Sequence, residues 1–154
     1  MKEINGELVA GGLKVAIVAS RFNSFLVEQL VKGALDAFTR MGGDEKDVTL
    51  VRVPGAYELP LVAKAMAEDG VDAVVCLGAV VQGATPHASL INSTTSEAFA
   101  KISLKTGVPV LDGVVAAETL EQAVERCGTK QGNKGFSAMQ SAVEMAGVMK
   151  KLKS

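Results

Sequence analysis

A chain of 154 residues, 48% apolar and 21% charged, has the make-up of one globular domain and not of a disordered segment. Sixteen basic residues against seventeen acidic ones leave a formal charge of −1, which argues against a general nucleic-acid surface, because neutralising phosphates takes clustered positive charge. Two cysteines without a CxxC spacing and one histidine are too few for a metal centre, so no metal is expected. The opening MKEINGELVA lacks a long apolar stretch and no later run reaches membrane-spanning length. A cytoplasmic, reduced protein with no membrane partner is the simplest reading.

INGELVA alternates loosely and reads as a short strand in an N-terminal arm, residues 1–12, that ends at Gly11–Gly12. LKVAIVAS, Leu13 to Ser20, reads as a buried strand. Asn23 or Ser24 is placed to cap a helix, and apolar residues at Leu26, Leu30, Ala34, Ala37 and Phe38 continue it at helical spacing toward MGGDE. VTLVRVPG supplies the next strand, stopped by Pro54–Gly55. AYELPLVAKAMAED follows as a helix that starts near Leu59, since Pro60 fits a first turn and not an interior one. DAVVCLGAVV is the third core strand, and a long helix is predicted from His87 to Lys105. VPVLDGVVA is the fourth strand, ETLEQAVERC a short amphipathic helix, and NKGFSAMQSAVEMAGVMKKL the last one. The basic KKLKS end suits a final helical turn.

Strand and helix alternate four times after the arm. The strands are apolar runs, as expected where helices cover both faces of a parallel sheet, so the pattern predicts a three-layer α/β fold. In such sheets ligands bind beyond the carboxyl ends of the strands, which here read SRFN, VPGAYE, VVQGATPH and DGVVAAET. Phe22 is placed to stack on a flat ring or to fold onto its own helix. Tyr57 and Glu58 follow the second strand, where Glu58 can accept from hydroxyls or serve as a first-turn acid. GATPHA holds the only histidine, His87. Thr85 can cap the helix with Pro86 at its first position, and imidazole exchanges protons near neutral pH. ERCGTKQGNKG gathers Arg126, Lys130 and Lys134 around Asn133, a candidate helix cap. That combination suits one phosphate, although a solvated basic turn explains it too. Cys76 reads as a core residue. Cys127 could be nucleophilic but has no dedicated base. There is no P-loop and no dinucleotide fingerprint.

SRFN, VRVPGAYELP, GATPH and ERCGTKQGNKG, in this order and spacing over nearly the whole chain, resemble the 6,7-dimethyl-8-ribityllumazine synthase family. The resemblance implies a flavodoxin-like αβα sandwich with a four-stranded parallel core sheet and an N-terminal strand added to a neighbouring subunit. It implies a homo-oligomer, either a pentamer or an icosahedral shell of sixty subunits, with active sites between adjacent copies. Phe22 would stack on the pyrimidine. Ala56 and Glu58, flanking Tyr57, would meet the ribityl chain, and Val80 and Val81 would lie beside the ring. Gly83, Ala84 and Thr85 would border the phosphorylated substrate, and His87 would move protons. Arg126 would bind phosphate from the neighbouring chain and Lys134 would contact the pyrimidine. The implied reaction condenses 5-amino-6-(D-ribitylamino)uracil with 3,4-dihydroxy-2-butanone 4-phosphate, without a cofactor. Several positions differ from the family pattern: Gln82, Ala88, Ser89, Leu90, Thr94, Ala116, Ala117 and above all Asp112, where the family has an aromatic bordering the neighbour's site. Two other readings stand beside the enzyme: a non-catalytic or engineered self-assembling shell, and a binding module for flavin-like rings.

Overall fold

The structure, a computed structural model, describes residues 1–83, 87–128 and 132–154. Four strands, β1 (Val15–Ser20), β2 (Val48–Val53), β3 (Ala73–Val81) and β4 (Val110–Ala117), form one sheet in the order β2-β1-β3-β4. All three pairings are parallel. The helices are α1 (Ser24–Arg40), α2 (Leu59–Ala67), α3 (His87–Thr106), α4 (Leu120–Arg126) and α5 (Lys134–Lys153).

Strand periodicity divides the apolar residues between two cores. Val15, Ile17 and Ala19 of β1 point toward Leu26, Leu30 and Met139 from α1 and α5. Ala16 and Val18, between them, point toward Leu59 and Phe99 from α2 and α3. Every residue of β1 is buried, and so are the first seven of β3. The chain moves from β1 to β2 in one direction and from β2 through β3 to β4 in the other. Right-handed crossovers then put α1 on one face and α2 and α3 on the opposite face, which is the division the two cores display.

The sequence reading needs correction in two places, β2 and Asn23, and the N-terminal arm pairs with no strand of its own chain. β2 is not covered on both faces: it is an edge strand with Leu50 40% exposed. INGELVA forms no strand within the chain. The arm lies along α5 instead: a Cβ on Gly6 would come within 2.8 Å of the Glu144 carbonyl carbon, and Lys151 Nζ donates to the Asn5 carbonyl at 2.7 Å. A strand needs a paired neighbour, and no other strand runs beside the arm here. Finally, Asn23 precedes α1 but does not cap it with its side chain. It adopts a left-handed φ of 61°, which asparagine tolerates better than most residues, and its Nδ2 donates to the Ala79 carbonyl of β3 at 2.8 Å. Among the described residues no helix is long and apolar enough to cross a membrane.

Candidate active site

Strand order reverses direction between β1 and β3, and the crevice outside their carboxyl ends is where an open α/β sheet binds ligands. A cleft of about 260 Å³ opens there. The loop after β1 is held from both sides. Arg21 N–H donates to the Val53 carbonyl at 2.8 Å and Phe22 N–H to the Pro54 carbonyl at 3.1 Å, while Asn23 reaches β3. Phe22 therefore lines the cleft and is 71% exposed as a residue, which removes the reading in which it folds onto its own helix.

A 3-10 turn over Ala56–Glu58 leads into α2, with Pro60 in the first turn as predicted. It brings Ala56 and Tyr57 to the cleft, which Val80, Val81 and Gly83 also line. Glu58 is half-buried and is not one of the lining residues. His87 opens α3 at the rim. Ala88 and Ile91 extend the lining, Ile91 because it lies one turn beyond His87 on the same helix face. Sequence reasoning missed Asn23, Gly55, Ala79 and Ile91 as lining residues. The helical spacing from His87 could have found Ile91. Ala84, Thr85 and Pro86, with the expected Thr85 cap, lie outside the described residues, and so does Lys130.

The remaining candidates form a second group one strand away. The Ala117 carbonyl accepts from Gln82 N–H, on the β3 side, at 2.8 Å. Strand carbonyls alternate in direction, so those of Val114 and Ala116 face the free edge of β4. Both cations sit on them: Arg126 Nη1 donates to the Ala116 carbonyl at 2.9 Å and Lys134 Nζ to the Val114 carbonyl at 2.6 Å. Asp112 lies on the same strand, and its Oδ1 accepts from Val114 N–H at 2.9 Å. Eight residues apart in sequence, Arg126 and Lys134 thus converge two residues apart along one strand edge. Asn133 caps α5 as expected, its Oδ1 accepting from Phe136 N–H at 3.0 Å. None of Asp112, Arg126 or Lys134 lines the cleft that holds His87, so the described candidates other than Glu58 fall into two groups, one lining the cleft and one on the β4 edge.

Residues 12–150 match the family of 6,7-dimethyl-8-ribityllumazine synthase. The chain belongs to that family. It is 52% identical over 147 residues to a protein of Desulfotalea psychrophila named 6,7-dimethyl-8-ribityllumazine synthase, covering 95% of each chain. It is 50% identical over 148 residues to the synthase of that name from Syntrophus aciditrophicus, covering 96% of each. The three-layer parallel sheet seen here is the flavodoxin-like fold that the lumazine synthase resemblance implied.

The surroundings of both thiols of this lumazine synthase family member disfavour the nucleophilic thiolate. Cys76 and Cys127 are both buried. Burial, reinforced by the nearby Asp112 carboxylate, pushes the Cys76 thiol far above its ordinary value. Burial alone raises Cys127 to about 11, whereas reactivity needs the thiolate. A thiol raised on folding from an ordinary 9.0 stays protonated in the native state while the unfolded chain ionises. Its contribution to stability is full below pH 9 and is lost as the pH climbs through 11. The urea midpoint is expected to fall over that window, and Cys127→Ala to flatten the fall. An unchanged slope in the variant would assign the loss elsewhere. Among the described residues no group of three or more histidine, cysteine, aspartate or glutamate side chains is placed to hold a metal ion.

Proposed function

We propose that this chain joins 5-amino-6-(D-ribitylamino)uracil to 3,4-dihydroxy-2-butanone 4-phosphate, giving 6,7-dimethyl-8-ribityllumazine, inorganic phosphate and two waters. It acts as a transferase of riboflavin biosynthesis in the cytoplasm, as one domain with an N-terminal arm. The amine attacks the ketone carbonyl and the first water leaves as the imine forms. Loss of a proton from the adjacent carbon lets the phosphate depart with the C–O bonding pair. The second amine then closes the ring with loss of the second water. Such a sequence asks for positioning, an anion site and proton exchange.

Each requirement has a candidate on this chain. Phe22 is exposed in the cleft and offers its ring to the pyrimidine, with Val80 and Val81 lining the same cleft. Ala56, Tyr57 and Glu58 offer backbone and carboxylate partners to the ribityl hydroxyls. Gly83, Ala84 and Thr85 border the phosphorylated substrate. His87, exposed at the head of α3, exchanges protons with the imine intermediate. Arg126 and Lys134 come from a second copy and supply the phosphate and pyrimidine contacts. Asp112 arrives with them. Its carboxylate offers no stacking face and repels phosphate, but it is turned back onto Val114 N–H.

The observation that carries the reading is the separation itself. An apolar cleft with an imidazole but no described cation faces one way, and a strand edge holding two cations lies outside it. A copy packed with its β4 edge against the cleft of the next would complete the site. The open β2 edge, with Leu50 exposed, invites a neighbour's arm as an added strand, which would cover unpaired backbone groups. Repetition around a ring gives the pentamer, alone or as twelve in a shell of sixty.

The direct test mixes both substrates with the protein, follows the lumazine chromophore, and weighs the particle in the same sample. Product together with a mass that is a multiple of five chains is expected. Full turnover by a monomer would sink the shared site. His87→Ala is expected to lower kcat by about 10²-fold, the low end for acid–base catalysis, because water can partly replace an imidazole at an exposed rim. Both KM values should stay within a few-fold, and an unchanged kcat would remove His87 from proton transfer.

A further inference from the structure

We infer that Asn133 is a positioning residue for the phosphate contact: its carboxamide locks the start of the cationic turn against α1 and so fixes where Arg126 stands. The inference rests on the reading of Arg126 as the phosphate ligand and goes beyond the capping role of Asn133.

Three partners from three parts of the chain meet at this side chain. Oδ1 accepts from Phe136 N–H at 3.0 Å, the helix-cap bond. Nδ2 donates to the Gln29 carbonyl of α1 at 2.9 Å, across 104 residues of sequence. Nδ2 also donates to the Cys127 carbonyl at 3.2 Å, and the backbones of Cys127 and Asn133 form an isolated antiparallel bridge. Cys127 directly follows Arg126. One amide group therefore ties both feet of the turn to each other and to α1.

The surroundings are shaped for that amide. A Cβ on Gly33 of α1 would lie 2.6 Å from Nδ2, and one on Gly128 would lie 2.9 Å from it. One on Gly135 would lie 3.0 Å from Oδ1. Three glycines from α1, the turn and α5 leave the space that the carboxamide fills. Capping alone needs only an oxygen acceptor. The two donor contacts and the glycine cradle are surplus to a cap, and both act on the segment that presents Arg126.

The cap and the lock can be separated. Asn133→Asp keeps an oxygen for Phe136 N–H and has no donor for the Gln29 and Cys127 carbonyls, while Asn133→Ser keeps an oxygen on a shorter side chain whose single hydroxyl hydrogen cannot serve both. In steady-state assays with both substrates, each variant is expected to raise the KM of the phosphorylated substrate about tenfold, less than the hundredfold that a misplacement of an ångström can cost. The pyrimidine KM should stay within twofold, because capped α5 still carries Lys134. Arg126→Ala is measured in parallel, and with Asn133→Asp in a double variant. If Asn133 acts through Arg126, the double variant is no worse for the phosphorylated substrate than Arg126→Ala alone. Fully multiplicative losses, or an unmoved KM in both Asn133 variants while Arg126→Ala raises it, would overturn the positioning role and leave the phosphate reading standing. An unmoved KM in Arg126→Ala would overturn both. Equal loss for both substrates, tracking a lower unfolding temperature, would make Asn133 merely structural and reject the inference.

Discussion

Arg126→Ala is expected to raise the KM of the phosphorylated substrate by about 10- to 100-fold while the pyrimidine KM stays within twofold. The magnitude follows from a charge-assisted hydrogen bond, worth about 1.5–3 kcal/mol, at about 1.4 kcal/mol for each tenfold. The asymmetry follows from chemistry: only one reactant carries an anion that a guanidinium grips in a forked, planar contact. Little stability should be lost, since Arg126 is exposed and its one described partner is an edge carbonyl of β4. Arg126→Lys keeps the charge without the fork and should fall between alanine and the parent. Matched binding titrations of each substrate give the readout. Equal weakening of both would deny Arg126 a separate anion role.

Gly135→Ala should cost about 3 kcal/mol of stability, the upper part of the range for overpacking a close contact. A methyl group there would overlap the Leu30 carbonyl, lying 2.8 Å from its carbon. The obstacle is backbone of α1, so relief requires separating α1 from α5, and with them the core that contains Leu30, Ala34, Met139 and Val143. The direction is diagnostic because glycine to alanine inside a helix ordinarily stabilises by about 1 kcal/mol. Gly147 supplies the control on the same helix. Its added Cβ would meet the nearest atoms, in the arm, at 3.4 Å, an ordinary contact. Gly147→Ala should be neutral or mildly stabilising in the same urea titration. Two variants with equal midpoints would refute the close α1–α5 approach.

Most of the architecture was legible because it is written in local periodicity. VAIVA and AVVCLGAVV are apolar without interruption, and they lie in strands buried over all of β1 and the first seven residues of β3. The spacing from Leu26 to Phe38 became the buried face of α1. Pro60 marked the start of α2, and Asn133 capped α5. Phe22, Tyr57 and His87 were read from strand ends, while Ala56, Val80, Val81 and Gly83 came from the family resemblance; these seven line one cleft, and Glu58, also read from a strand end, does not. That works because a parallel sheet delivers every strand end to the same side. Asp112, Arg126 and Lys134 were legible as residue types but not by place. Their partners are outward-facing carbonyls of β4, and a carbonyl's direction depends on pairing, not on residue identity.

The two asparagines draw the line most clearly. From sequence each is a cap candidate at the head of a helix. Asn133 does cap, but it also holds α1 from 104 residues away. Asn23 caps nothing with its side chain and spans the gap to β3. The amino-acid sequence by itself determined the fold class, the order of strands and helices and the edge of the sheet at which the cleft opens, because apolar periodicity and helix-end residues act over a few neighbours. Only the tertiary structure decided that β2 is an open edge, that the arm lies on α5 and that the imidazole and the cations sit on different surfaces. Those outcomes depend on which backbone groups find partners across long sequence separations, and no short stretch of residues encodes that.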